Sequence, residues 1–421
     1  MPRFAYVLLS YLLAPFVAGF LFLRGFRNRA YWDRFGERFG YSSIALDHPS
    51  IWVHAVSVGE VQAAAALVRE LMRRYPGIPL VLSTVTPTGA ERVRDMFGDS
   101  VIHLYAPYDL PGAVRRFFDR VQPQLAIIIE TELWPNLYHE CGKRQVPLVL
   151  ASARVSPVSV VKYRRFVGLF REALSHGIVI AAQSESDAER FRSLGANPAR
   201  THVTGNIKFD FEPDQDLPKL GAAFRDEHAA GRRVWVAGST HEGEEEQILE
   251  ALQIVRQKYP DTLLMLVPRH PERFNGVAQM LKERGWSVVT RSSGLRCDAE
   301  TDVFLIDTLG ELTLIYAACD IAFVGGSLVP IGGHNLLEPA ALGKPILTGP
   351  HTFNAEDIAS MFIDANAALR VTDARDLAFR LTEWFGNETQ AHEFGQRGLT
   401  LLRQNRGALE RLLALVDPLL P

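Results

Sequence analysis

The sequence predicts an α/β protein: two doubly wound, parallel-sheet domains facing each other across a cleft, preceded by an apolar helix. Three observations predict it. Short, nearly continuous apolar runs alternate with helix-period segments, the pattern of a parallel sheet covered on both faces. That alternation stops at FDFEPDQDLPKL (209–220), a stretch with two prolines and four acids, and then begins again. Finally, FAYVLLSYLLAPFVAGFLFL (4–23) carries no charge over twenty residues, enough for about 30 Å of helix.

Taken in order, the first domain has strand candidates at 51–56, 79–85, 101–105, 125–129, 147–151 and 177–181, separated by helix-period segments such as 61–75, 88–96, 110–120 and 187–194. The second repeats the grammar with strands at 233–237, 263–267, 287–290, 303–306, 321–324 and 345–347 and helices near 244–258, 271–284, 311–318 and 336–342. The expected division is an anchor with its basic flank (1–29), a first α/β domain (30–210), a linker (211–220), a second α/β domain (221–385), and C-terminal helices (386–421) crossing back onto the first domain. A chain of 421 residues is long for one core, which agrees with two domains.

Composition removes several classes. With 47% hydrophobic and 22% charged residues the chain is globular, and a formal net charge of −3 argues against a nucleic-acid binder. Cys141, Cys297 and Cys319 have neither zinc nor redox spacing and fit a reducing compartment. The apolar run at 4–23 lacks the basic front and short core of a signal peptide, and Arg24, Arg27 and Arg29 follow it instead. That asymmetry predicts a membrane anchor with the bulk of the protein on the cytoplasmic side. Pro15 and Gly19 weaken the helix and leave both a spanning and an in-plane anchor open.

Chemistry-bearing residues gather where strands hand over to helices, the place where open α/β sheets bind ligands. In IWVHAVSVGEVQAAAA (51–66) the junction delivers Glu60. It reads either as an acid that offsets a helix N-terminus or as a reactive carboxylate. IIIETELWPN places Glu130 and Glu132 after a strand, and THVTGNIKFD places Lys208 just before the linker. In VWVAGSTHEGEEE the turn Gly238-Ser239-Thr240 opens a helix rich in Glu242, Glu244 and Glu245, and its backbone N–H groups suit an anion or a plain N-cap. LLMLVPRHPERF presents Arg269 and His270 between Pro268 and Pro271, a phosphate-binding arrangement if Arg269 is not simply a surface charge. In FVGGSLVPIGGHNLLEPAALGKPILTGP (323–350) the pairs Gly325-Gly326 and Gly332-Gly333 permit close backbone approach, followed by His334 and Asn335. Glu338 has capping-box spacing from Asn335 and is also placed to accept two ribose hydroxyls. No His/Cys cluster has ligand spacing, so no metal and no cofactor are expected.

The ordered set WDRFGERFG (32–40), HAVSVGEVQAA (54–64), ETELWPN (130–136), TGNIKFD (204–210), AGSTHEGEEE (237–246), VPRHPERF (267–274) and GGSLVPIGGHNLLEPAALGKPILTGP (325–350) resembles the 3-deoxy-D-manno-oct-2-ulosonic acid (Kdo) transferases of Gram-negative bacteria. The resemblance runs from the apolar N-terminus to about residue 355 and implies a fold of the GT-B type. It implies an inverting, metal-independent glycosyltransferase moving Kdo from CMP-Kdo to lipid IVA, a lipid A precursor, at the cytoplasmic face of the inner membrane. It also implies Glu60 as general base and Glu130 and Lys208 as assisting residues. CMP would then be held around Pro268 and Arg269, around Leu309, Gly310 and Glu311, and by Asn335, Leu336, Leu337 and Glu338. Gly238, Ser239, Thr240, Gly332, Gly333 and His334 are expected phosphate or loop contacts. Arg27, Arg29, Arg34 and Arg38 are candidates for headgroup contact beside a plain positive-inside role. A helix N-terminus stabilises an anion, so it is expected to keep Glu60 deprotonated.

Two other classes fit parts of the pattern. Another two-lobed sugar-nucleotide enzyme, such as a GlcNAc transferase or a UDP-GlcNAc epimerase, shares the grammar of the second domain. An exported two-lobed binding protein would use the apolar run as a signal, against the arginines behind it and the odd cysteine count.

Overall fold

The computed structural model describes residues 3–164, 167–174 and 177–420. Met1, Pro2 and Pro421, at the outer ends of the expected anchor and C-terminal segments, lie outside the described residues, as does the side chain of Arg27. The chain divides into two units: unit 1 is Met1–Asp210 with Asn405–Pro421, and unit 2 is Phe211–Gln404.

Unit 1 begins with α1 (Arg3–Arg27) and contains seven strands: β1 (Ser50–His54), β2 (Leu80–Thr84), β3 (Ile102–Tyr105), β4 (Pro123–Ile129), β5 (Leu148–Ala153), β6 (Val179–Ala182) and β7 (Thr201–Val203). They form one sheet in the order β3-β2-β1-β4-β5-β6-β7, with every pairing parallel. Alternation sorts the side chains to two faces. Ile51, Val53, Ile127 and Ile129 enter one apolar layer with Val61, Leu67, Val68 and Leu71, while Trp52, Ala126 and Ile128 enter the other with Phe117, Phe118 and Tyr138. Covering both faces is what makes each strand apolar throughout.

Unit 2 repeats the plan with β8 (Val234–Thr240), β9 (Leu263–Pro268), β10 (Val288–Thr290), β11 (Val303–Leu305), β12 (Ile321–Val324), β13 (Ile346–Thr348) and β14 (Ala368–Arg370). The order is β10-β11-β9-β8-β12-β13-β14, again parallel. In each sheet the winding reverses once, between β1 and β4 in unit 1 and between β8 and β12 in unit 2. These reversals open a crevice at the carboxyl ends of the flanking strands.

Three features depart from the sequence reading. Helix Leu217–Ala229 starts inside the 211–220 stretch read as linker, because Pro218 falls in the first helical turn, where its missing N–H costs nothing. Helix Glu388–Asn405 stays with unit 2 almost to its end, so the return to unit 1 comes near 405 and not at 386. A Cβ at Gly395 would lie 2.0 Å from the Gly343 oxygen, so only glycine lets this helix approach the loop that closely. Strands β7 (THV) and β14 (ALR) carry polar or charged residues and show no apolar run.

The returning segment is held firmly. Leu412, Leu413 and Val416 are fully buried in the same layer as Ile51 and Ile127, each worth about 1.5–3 kcal/mol. Asp210 accepts hydrogen bonds from Gly407 N and Leu409 N, both at 2.6 Å, and so caps helix Ala408–Val416. Asp210→Ala is expected to lower the stability of unit 1 by about 1–3 kcal/mol in urea unfolding and to expose the C-terminal segment to protease.

Candidate functional site

The crevice of unit 1 gathers charge. β1 ends at His54, and helix α2 (Val58–Arg74) starts four residues later with Glu60 in its first turn. Glu60 Oε2 accepts the Val56 N–H at 2.8 Å, and Oε1 has a long 3.4 Å contact from the Ser57 hydroxyl. The helix-start role is therefore real: Glu60 reaches back to satisfy a backbone donor, and Ser57 makes no capping bond of its own. The expected effect on its proton does not follow. Burial drives the Glu60 pKa up to about 7, with Glu130 and Glu132 adding to the rise and the Val56 bond and Lys208 opposing it. Desolvation outweighs the helix dipole, because the dipole acts as a partial charge and lost hydration penalises the whole one.

Across the reversal point, β4 delivers Glu130 with φ +59, in the left-handed region that costs a non-glycine residue roughly 1–2 kcal/mol. Its N–H still donates to Ala151 O at 2.9 Å, so the ladder continues while the side chain turns. Lys208 Nζ bonds Glu130 Oε1 at 2.7 Å and Arg154 Nε bonds Oε2 at 3.2 Å. Burial alone would raise the Glu130 pKa, but these two cations overcome it and the net shift is downward. Lys208 thus sits in an ion pair and not on an open surface. Glu132, next to it, accepts from Trp134 Nε1 at 2.5 Å, and burial together with Glu130 pushes its carboxyl upward. Trp134 packs on His54, which is fully buried, bonded to Ser83 through Nδ1 and lowered to about 4 by burial, hence neutral.

The turn carrying Lys208 is fixed by neighbours that local sequence could not reveal. Asn206 Oδ1 accepts the Lys208 N–H at 3.0 Å and Asn206 Nδ2 donates to Gln183 Oε1 at 3.2 Å. Gln183 Nε2 in turn donates to Ser152 O at 2.9 Å, and Ser152 has φ +55. Arg154, Gln183 and Ser152 carry no signal in their own stretches, while Asn206 lies within TGNIKFD; they meet because β4, β5, β6 and the 204–210 turn lie side by side.

In unit 2 the reversal point is organised around Glu244. This buried carboxylate accepts Gly326 N (2.7 Å), Ser327 N (3.0 Å), Leu328 N (2.9 Å) and His241 N (3.2 Å). Of these four donors only His241 N adjoins the turn Gly238-Ser239-Thr240; the other three belong to the loop after β12, and one of the chain's own acids occupies them. Gly238 and Thr240 are strand residues, a Cβ on Gly238 would strike Tyr316, and the Thr240 hydroxyl donates to Glu245. Ser239 is buried with φ +59. The Gly332 and Gly333 amides are likewise spent, both on Gly326 O.

Arg269 remains available. Its backbone is tied to Thr240 O after the buried Pro268, and its side chain makes no hydrogen bond or ion pair among the described residues. Beside it His241 stacks on His334 with the rings 5.1 Å apart, their Nε2 atoms 2.9 Å from each other, and His270 meets His241 edge-on. Burial, followed by the neighbouring histidines and Arg269, lowers His334 to about 3, and burial first also lowers His241 to about 4. Both rings are neutral near pH 7 and one donates to the other. Gly326 has φ +67, and a side chain there would press on His334.

Asn335 is exposed, caps Leu337 N through Oδ1 at 3.1 Å and donates to Glu338 Oε1 at 3.1 Å, so the cap and the acid form one unit. Leu336 and Leu337 are buried. Leu309 and Gly310 are exposed, and Glu311 is bonded to Arg291 at 2.9 Å and to the Thr308 hydroxyl. Those bonds lower the Glu311 pKa although burial opposes them. Among the described residues no group of three or more His, Cys, Asp or Glu side chains is placed to hold a metal ion.

Unit 1 therefore offers a carboxylate that can gain and lose a proton near neutrality beside a fixed cation. Unit 2 offers an uncommitted guanidinium near the neutral His241 and His334 rings and an exposed Asn335 bonded to a half-buried Glu338.

Comparison with known proteins agrees with the motifs. A family model described as 3-deoxy-D-manno-octulosonic-acid transferase (kdotransferase) matches residues 33–211. Over 421 residues the chain is 43% identical to the 3-deoxy-D-manno-octulosonic acid transferase of Haemophilus influenzae (strain ATCC 51907 / DSM 11121 / KW20 / Rd), with 99% of both chains covered. The protein of that description from Bordetella pertussis is 40% identical over 388 residues, covering 89% of each. Among solved structures, UDP-GlcNAc 2-epimerase from Neisseria meningitidis bound to UDP-GlcNAc aligns with a TM-score of 0.57 over 88% of this chain and 100% of that one. At 13% identity this likeness concerns the fold alone, which is of the GT-B type with two parallel seven-stranded sheets.

Proposed function

The chain belongs to the 3-deoxy-D-manno-octulosonic acid (Kdo) transferase family of glycosyltransferases, and on that premise we propose that it moves Kdo from CMP-Kdo to lipid IVA with inversion, Glu60 serving as the base. The observation that carries the proposal is the Glu60 carboxylate, largely buried at the reversal point of the first sheet, with its pKa near 7 and an ion-paired lysine beside it.

In the reaction, the acceptor hydroxyl oxygen forms a bond to the anomeric carbon of Kdo while the bond from that carbon to the CMP phosphate oxygen breaks. The hydroxyl proton passes to Glu60, and CMP leaves with the electron pair. A base with a pKa near the working pH combines a useful deprotonated fraction with real proton affinity. Lys208, held by Glu130, supplies fixed positive charge near the reacting carbons, where the Kdo carboxylate is also negative. The leaving group is a nucleoside monophosphate, so the uncommitted Arg269 can neutralise it without a metal ion. On this reading Asn335 and Glu338 accept ribose hydroxyls, and the exposed turn at Leu309 and Gly310 covers the base. On the same reading α1 attaches the chain to the cytoplasmic face of the inner membrane, where a lipid acceptor is reached; the exposed Arg24 and Arg29 behind its apolar run support this.

Incubating the purified chain with CMP-Kdo and lipid IVA should give a Kdo-bearing lipid by mass spectrometry; transfer from UDP-sugars and none from CMP-Kdo would reject the proposed donor. Glu60→Gln is expected to lower kcat roughly 100- to 10,000-fold with little change in CMP affinity. Because a charged Glu60 is poorly solvated, its native state binds more protons than the unfolded chain between pH 4.5 and about 7, so the charge costs stability above that window. The glutamine variant should therefore melt no lower than the parent at pH 8. Arg269→Ala should raise the KM for CMP-Kdo about tenfold or more with a smaller effect on kcat, and an unchanged KM would remove it from the donor site.

A further inference from the structure

We propose that α1 lies along the membrane surface, docked on unit 1 by one side and sunk into lipid by the other, and does not cross the bilayer. The inference rests on the membrane attachment proposed above and adds its geometry.

Both ends of the helix are bonded to the same unit. At its start, Arg3 donates to His139 Nε2 at 2.8 Å, the Tyr6 hydroxyl donates to Asp109 Oδ2 at 2.8 Å, and Gly112 N donates to the Tyr11 hydroxyl at 3.2 Å. At its far end Leu21 is buried, Gly25 lies against the Trp32 ring, and Trp32 Nε1 donates to Phe22 O at 2.9 Å. The helix has 25 residues and is about 37 Å long. A helix of that length leaving the unit to span a bilayer would carry Arg3 to the opposite headgroups, far from His139 and Asp109. The observed bonds require the start to remain beside the unit.

The less exposed positions are Arg3, Ala5 and Tyr6 at the start and then, at a helical period, Val7, Ser10, Ala14, Ala18, Leu21 and Gly25, mostly small residues. Opposite them, Phe4, Leu8, Leu12, Phe16, Phe20 and Leu23 are exposed, Phe4 at 79% and Phe16 at 76%. A stripe of this size without a protein cover calls for an apolar phase. The exposed Arg24 and Arg29 at one end match an anionic headgroup layer, which is why the occupant is a bilayer surface and not a second protein. The docking also reaches the candidate site. Asp109 accepts Asn136 N at 3.0 Å and Leu137 N at 2.8 Å, which caps helix Pro135–Arg144 directly after the Glu130–Trp134 loop.

The test is sided labelling of the full chain with a membrane-impermeant maleimide in sealed vesicles of both orientations. Cys297→Ser provides the background, since Cys141 and Cys319 are buried. Asn28→Cys marks the side on which unit 1 lies. Phe4→Cys is expected to react only from that side, or from neither until detergent is added. Reaction of Phe4→Cys from the opposite side would overturn the proposal. A second readout is independent of reagent access: a short bismaleimide should join Arg3→Cys to His139→Cys in intact membranes. Joining in detergent but not in membranes would mean that the helix leaves the unit when lipid is present, and would equally overturn it. Recovery of the whole chain in the supernatant of a low-salt wash would remove membrane attachment itself, a result distinct from either orientation.

Discussion

Taking the Glu60 carboxylate out of water costs free energy that the Val56 amide and the Lys208 charge offset in part. Much of unit 1 is arranged around that imbalance. Lys208 is useful only if it stays where it is, and three sets of bonds keep it there. Glu130 and Arg154 form the ionic part, with the strained Glu130 backbone aiming the carboxylate. Asn206, Gln183 and Ser152 hold the turn from the sheet side. From the other side Arg411 donates to Thr204 O at 2.8 Å and Asp210 caps the returning helix. The C-terminal segment, over two hundred residues away in sequence, is thereby part of what fixes the lysine.

Unit 2 solves a different problem. Three consecutive amides after β12 point into the crevice, and an open nest of that kind would bind any anion. Glu244 fills it, so these three amides are satisfied within the unit. Arg269 supplies charge, while His241 and His334 stay neutral and give hydrogen-bond donors and acceptors without adding to it. On the proposed function, a donor phosphate there would meet the directed charge of Arg269.

Much of this was legible in the sequence. Strand positions were, because strands covered on both faces carry nearly continuous apolar runs, as at 51–53 in β1, 125–129 in β4 and 234–237 in β8. The strand-end position of Glu60, Glu130 and Arg269 followed from that alone. The edge strands β7 (THV) and β14 (ALR) carry polar or charged residues and offered no apolar run to read, and Pro218 disguised a helix start as a linker. Long-range partners stayed hidden for a different reason. Arg154 and Gln183 matter through residues twenty or more positions away, and Glu244 has the local pattern of an ordinary helix-start acid, since its partners lie across the sheet. The upward shift of the Glu60 pKa is not legible in the sequence because burial, unlike the helix dipole, is a property of the tertiary fold.

The pH dependence of kcat/KM for the CMP-Kdo donor tests the central claim most directly. If Glu60 is a base whose proton affinity is set by burial, kcat/KM rises with pH and levels off above about 7. Removing the lysine charge in Lys208→Met takes away an influence that lowers the Glu60 pKa, so in that variant the break moves to higher pH. A profile already level from pH 5 upward, or a break that stays in place when Lys208 is neutralised, would contradict the account.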